Sequence, residues 1–69
     1  MKAIFLKDIT VDFVDRFNEI GDEVFHKNDC VDVTEVIQLS NRFTSLVLSS
    51  GTTLIAVRND SFKLENDEA

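Results

Sequence analysis

The chain has 69 residues, and its 13 acidic and 7 basic side chains give a formal charge of −6. A body this small and acidic argues against direct binding of nucleic acid or of a membrane surface, and it favours a basic partner. One cysteine and one histidine exclude an internal disulfide and a closed zinc site, so we expect one domain with no cofactor. The N-terminal apolar run is too short for a signal peptide or a membrane span, so we expect a cytoplasmic chain with reduced Cys30.

The N-terminal third is predicted to contain a strand and then a helix. A short apolar run between lysines predicts the strand at about 3–9. After it, apolar residues recur at helical spacing, namely Phe13, Val14, Phe17 and Ile20. Thr10 suits the helix N-cap and Gly21 suits the position after the helix, so we predict a helix at 11–20. The alternative is a strand that continues through Val11.

The rest of the chain is predicted to be β-structure. Four further strands follow from short apolar or alternating patterns, at about 23–27, 31–39, 43–49 and 53–58. The alternation of the second of these is broken near 34–36, which indicates either a bulge or an exposed strand end. A tight hairpin joins the last two strands, with Gly51 supplying a positive φ.

These elements predict an α+β fold over residues 1–64. One short helix would pack on a four- to five-stranded, mostly antiparallel sheet or open barrel, and residues 65–69 would form a frayed acidic tail. The strands within 43–57 carry apolar residues on both faces. Both faces of such strands are packed against other elements. The outer cover is either a second subunit or partner, or other strands of a small closed barrel. The pattern does not separate these two alternatives.

Five carboxylates are the main candidate for a partner-binding surface: Asp12, Asp15, Glu19, Asp22 and Glu23. On the predicted helix the first three would form one stripe with a spacing of about 5 Å. Such a stripe resembles the repeating charges of a nucleic-acid backbone, and it would suit a larger basic protein that binds nucleic acid. The alternative is an ordinary solvated helix face.

Two arginines at predicted strand ends are candidate ligand-binding residues. Arg42 and Arg58, with Lys63 close in sequence, could form a basic spot for an anionic small molecule such as a nucleotide. They could equally be edge charges that discourage aggregation.

No set of residues predicts catalysis or a metal site. His26 and Cys30 lie four apart, but they lack the further ligands of a metal site and the orienting group of a nucleophile–base pair. We therefore expect no enzyme activity, no catalytic residue and no metal.

Residues 33–64 resemble small bacterial and phage β-modules of the FlbD-like flagellar kind. The resemblance rests on the segment Leu46–Gly51 and on apolar residues after it, namely Ile55, Val57, Phe62 and Leu64. This chain departs from that pattern where a closing helix would be expected, because its tail is short and acidic. The resemblance transfers no function.

The composition thus favours an acidic, non-catalytic binding protein. We expect an inhibitor or modulator of a larger basic protein, of the size and charge common among phage-encoded inhibitors of host proteins. One alternative is an oligomeric β-module that holds an anionic small molecule between subunits. Another is a structural assembly subunit. A homodimer or a higher homo-oligomer is a further expectation.

Overall fold

A computed structural model of the protein describes residues 1–66. It contains seven strands and one short 3₁₀ turn at Asn59–Ser61. The strands are β1 (Lys2–Phe5), β2 (Ile9–Val14), β3 (Ile20–Phe25), β4 (Cys30–Gln38), β5 (Phe43–Leu48), β6 (Thr53–Arg58) and β7 (Phe62–Glu65). They form one sheet in the order β3-β2-β6-β5-β4-β1-β7, and every pair is antiparallel.

The predicted α+β fold is therefore wrong, since no α-helix occurs within residues 1–66 and the sheet has seven strands rather than four or five. Residues 11–20 are the end of β2, a tight turn and the start of β3. Gly21 lies within the edge strand β3 instead of ending a helix, and the ring of Phe13 covers it from the opposite strand.

The turn between β2 and β3 depends on two polar residues. A carboxylate oxygen of Asp15 accepts hydrogen bonds from the backbone N–H groups of Phe17, at 2.8 Å, and Glu19, at 2.9 Å. The N–H of Asn18 donates to the backbone oxygen of Asp15, and Asn18 has a φ of 65°. A turn followed by a left-handed residue is a common three-residue hairpin loop, and asparagine tolerates that conformation.

The predictions for β4, β5 and β6 are confirmed to within one residue at each end. Gly51 has the expected positive φ, 94°, in the hairpin that joins β5 to β6. Of the two alternatives for the broken alternation near 34–36, the bulge is the one found, because the pairing of β4 with β5 shifts between Val33 and Glu35.

The sheet is curled so that its two ends meet. Phe5 of β1 stacks on Phe25 of β3 with ring centroids 4.4 Å apart, although these strands lie far apart in the sheet order. The core fills the inside of this curl and consists of Ala3, Phe5, Val11, Phe25, Val33, Leu46, Leu54, Val57 and Phe62.

The C-terminal segment adds the last strand. β7 pairs with β1 from Phe62 to Glu65, so the first residue of the predicted frayed tail lies in a strand. The rest of that predicted tail beyond Asn66 lies outside the described residues. Within the described part of the chain, no helix is long and apolar enough to cross a membrane.

Candidate functional site

All five carboxylates of the predicted partner-binding stripe lie on the β2–β3 hairpin, but they do not form one helical stripe. The helix that the spacing of about 5 Å required is absent, so the expected match to a nucleic-acid backbone loses its geometric basis. The hairpin distributes the side chains over its two faces and its turn.

Two of these carboxylates face each other directly. Asp12 and Asp22 are cross-strand partners in the β2–β3 ladder, and both are exposed. The N–H of Asp15 donates to the carbonyl of Glu19, which makes these two a hydrogen-bonded pair. Because such pairs alternate along an antiparallel ladder, Asp12 and Asp22 form a non-hydrogen-bonded pair, in which side chains approach most closely. Neither carboxylate has an ion-pair partner within residues 1–66.

The remaining three carboxylates have different surroundings. Asp15 holds the turn through its two backbone hydrogen bonds, so its side chain has a structural role. Glu19 is exposed at the end of that turn. Glu23 lies opposite the buried Val11 and therefore belongs to the other face of the hairpin, although it is exposed at the sheet edge. The structure thus groups Asp12 with Asp22 and separates Glu23 from them.

An apolar patch lies beside the Asp12–Asp22 pair on the outer face of the sheet. Cross-strand partners share a face, and the register connects this pair to Ile55 of β6. The outer apolar patch consists of Val14, Ile20, Ile37, Val47 and Ile55. Ile20 is 79% exposed, and Phe17 in the adjoining turn is 71% exposed. Residues 43–57 therefore do present apolar side chains outward, and the curl of the sheet leaves them only partly covered.

The two arginines proposed as ligand-binding residues converge at another end of the sheet. Arg42 and Arg58 line one pocket of about 190 Å³ together with Asn41, Asn59 and Asp60. The pairing of Phe43 with Arg58 brings these segments together, because Arg42 directly precedes Phe43. Lys63, predicted near them, instead pairs with Glu65 at 3.4 Å.

Asp60 is the acidic member of this pocket. Its carboxylate oxygens lie 3.3 Å from Nε of Arg58 and 3.5 Å from Nζ of Lys7. The hydrogen bond from Arg58 is the main cause that lowers the pKa of Asp60 below its ordinary value of 3.8, and the charge of Lys7 acts in the same direction. The sequence offered no signal for Asp60 or Lys7, since their proximity depends on the pairing of β1 with β7, which continues past Phe5 and Phe62 through the hydrogen bond from Leu6 to Ser61.

His26 and Cys30 lie in and after the turn between β3 and β4. His26 is 3.6 Å from a carboxylate oxygen of Asp8, and Cys30 is an exposed free thiol in β4. Among residues 1–66 no three His, Cys, Asp or Glu side chains are grouped as a metal site would require.

Comparisons of the chain with protein-family models, with curated proteins and with solved structures give no match. The resemblance of residues 33–64 to FlbD-like modules therefore supports no functional argument. What the protein does has to be inferred from the geometry of its own two surfaces, the outer face of the hairpin and the arginine pocket.

Proposed function

We propose that the chain is a small, non-catalytic binding protein that docks on a basic protein through the outer face of β2, β3, β5 and β6. The Asp12–Asp22 pair is the observation that carries this proposal. Like charges directly opposite each other destabilise a sheet. A pair that lowers stability and stands beside exposed apolar side chains is typical of a surface selected for binding.

The charge of this face indicates the kind of partner. The residues of the outer apolar patch lie in two rows of side chains that run across neighbouring strands. These rows also contain Asp12, Asp22 and Glu35, and they contain no basic side chain. A second copy of the chain would bring carboxylates against carboxylates. A partner with lysines and arginines around an apolar centre complements both properties, since charge would speed association and apolar contacts would supply affinity.

The free edge of β3 extends this surface. Since Ile20, Asp22 and Val24 belong to non-hydrogen-bonded pairs with β2, their backbone N–H and C=O groups point away from the sheet. No hydrogen bond within the described residues reaches these groups. An extended partner segment can add to such an edge as a further strand. Asp22 and Glu23 disfavour addition of a second copy and favour a basic segment.

The decisive experiment compares three tagged forms of the chain as baits in an extract of the cells that naturally produce it. The baits are the wild type, the double variant Asp12→Asn with Asp22→Asn, and the double variant Asp32→Asn with Glu65→Gln. Both variants remove two negative charges, but only the first removes them from the β2–β3 hairpin, because Asp32 lies in β4 and Glu65 lies in β7. We expect a basic protein to be captured by the wild type and by the second variant, with capture by the first reduced severalfold. Capture should weaken as salt is raised.

Equal capture by all three baits would contradict the proposal, because binding would then follow net charge or another surface. Light scattering on the wild type gives an independent test of the occupant. A dimer that dissociates in the variant Ile20→Lys would assign the same face to a second copy and would also overturn the proposal.

A further inference from the structure

The arginine pocket is a second site, separate from the Asp12–Asp22 pair. It lies where the turn between β4 and β5 meets the end of β6. Its position means that a ligand there would not contact the β2–β3 turn. The pocket can therefore be considered without reference to the proposed protein partner.

Hydrogen bonds fix the backbone on both sides of this pocket. The side-chain oxygen of Asn59 accepts a hydrogen bond from the hydroxyl of Thr44, at 2.5 Å, and its side-chain nitrogen donates to the carbonyl of Asn41, at 3.0 Å. The backbone N–H of Asn59 donates to the carbonyl of Arg42, at 2.8 Å. Asn59 thus ties the β4–β5 turn to the end of β6, and its hydrogen bonds hold the backbones of Arg42 and Arg58 in fixed positions.

The pocket is cationic although the chain is acidic. Two arginines, Arg42 and Arg58, and one carboxylate, Asp60, line the pocket, which leaves a local charge of 2 − 1 = +1 on a chain of net −6. Lys7, 3.5 Å from Asp60, adds a further positive charge beside the lining residues. Asp60 engages Nε of Arg58 and leaves the other donors of that guanidinium available. Arg42 has no ion-pair partner among the residues described. Its five donors are therefore available to a ligand.

We propose that this pocket binds the phosphate group of a small phosphorylated molecule. Two guanidinium groups offer planar forks of donors, which match phosphate oxygens in a bidentate manner. The volume of about 190 Å³ is below the roughly 300–1,000 Å³ of pockets that enclose a whole ligand. The pocket therefore takes the anionic group, and the rest of the molecule lies outside. A carboxylate offers related chemistry with fewer oxygens, and the test separates the two.

The test is a titration of the ¹⁵N-labelled full chain with inorganic phosphate, followed by amide NMR at constant ionic strength. We expect saturable shifts confined to the segments around Arg42 and Asn59. The variants Arg42→Gln and Arg58→Gln should each weaken binding about tenfold or more, because each loses charge-assisted hydrogen bonds. The variant Asp60→Asn should bind more tightly, because it removes the repelling carboxylate and frees Arg58.

The variant Arg16→Gln is the matched control, since it removes one positive charge at the hairpin turn, and it should bind as the wild type does. Equal weakening in Arg16→Gln and Arg42→Gln would overturn the proposal, and so would shifts spread over the whole chain. Acetate is the second ligand arm, and acetate binding as tight as that of phosphate would also contradict a phosphate site. Unchanged amide spectra away from the pocket would show that each variant is folded.

Discussion

The body of the sheet and the β2–β3 hairpin use their apolar residues differently. In the body, Phe5, Leu46, Leu54 and Val57 are at most 1% exposed, whereas Phe17 and Ile20 of the hairpin are more than 70% exposed. The charges differ in the same way. Asp60 and Glu65 of the body have cationic partners, and Asp12 faces Asp22 on the hairpin. The difference teaches that the inner side of the sheet forms the core, with Val11 and Phe25 of the hairpin included, whereas the turn and the outer side of the hairpin leave apolar and like-charged side chains exposed.

The largest expected effect comes from truncating an apolar residue in each region. Leu46→Ala should lower the free energy of unfolding by about 2–5 kcal/mol, because it removes a fully buried side chain and leaves a cavity. Ile20→Ala should change it by less than about 0.5 kcal/mol, because that side chain is already in water. Urea denaturation of the two variants gives the comparison.

For a chain of this length the total stability is on the order of 3–10 kcal/mol, so Leu46→Ala unfolds much of the population if the wild type lies near the lower end of that range. Complete unfolding of Leu46→Ala counts as the expected loss. A loss of several kcal/mol in Ile20→Ala would show that the exposed hairpin residue is structural, and the division between the two regions would fail.

The next largest effect is that removing a carboxylate should change the free energy of unfolding with opposite signs in the hairpin and in the body of the sheet. Asp12→Asn should raise the free energy of unfolding by about 0.2–1 kcal/mol, because it removes a like-charge cross-strand pair. Asp32→Asn should lower it by a similar amount, because Asp32 lies opposite Lys2 in β1. Thermal unfolding at low salt measures both. A shift of the same sign in both variants would mean that net charge, rather than local pairing, sets the difference.

The same division explains which parts of the fold the sequence could predict. In the body, short alternating strands are separated by turn residues, and Gly51 marks a hairpin whose positive φ the structure confirms. Local signals therefore agree with the tertiary structure there. The broken alternation near 34–36 indicated either a bulge or an exposed strand end, and the shift beside Thr34 is the bulge.

The prediction for the β2–β3 hairpin was wrong because an accidental helical spacing of its apolar residues outweighed its turn signals. Phe13 packs on the inner side, while Val14 and Ile20 point outward, so the apparent apolar face of a helix is divided between two surfaces. Asp15 and Asn18 carried the correct signal, as a capping carboxylate and a left-handed turn residue. Because this turn contains neither glycine nor proline, Asp15 and Asn18 alone did not outweigh the helical spacing.

The candidate sites were predictable to different extents. The acidic residues of the hairpin were identified by composition, but their pairing needed the strand register. Arg42 and Arg58 were predicted together as a basic spot with Lys63, and the β5–β6 register does bring the two arginines together. Asn59 had no sequence signal, because its function as an anchor depends on contacts with Thr44 and Asn41.

The smallest expected effect tests whether the body's carboxylates contribute through their cationic partners. The pKa of Asp60 is lowered in the folded chain, mainly by its hydrogen bond from Arg58. A lowered folded pKa means that the ionised form contributes stability above the unfolded pKa, and this contribution disappears as pH falls through the folded pKa. Wild type should therefore unfold at a slightly higher temperature than Asp60→Asn at neutral pH, and the gap should close below pH 3.8.

Thermal unfolding of both proteins across that pH range measures the gap. The exposed position of Asp60 keeps it small, and added salt should reduce it further. The hairpin provides the contrast, because salt that weakens the Arg58–Asp60 attraction also weakens the repulsion between Asp12 and Asp22. Added salt should therefore reduce two differences in unfolding temperature. Wild type should lose part of its advantage over Asp60→Asn, and Asp12→Asn should lose part of its advantage over wild type. A gap at Asp60 that persists in acid would mean that the side chain acts by packing rather than by charge, and the electrostatic part of the comparison would then not hold for the body.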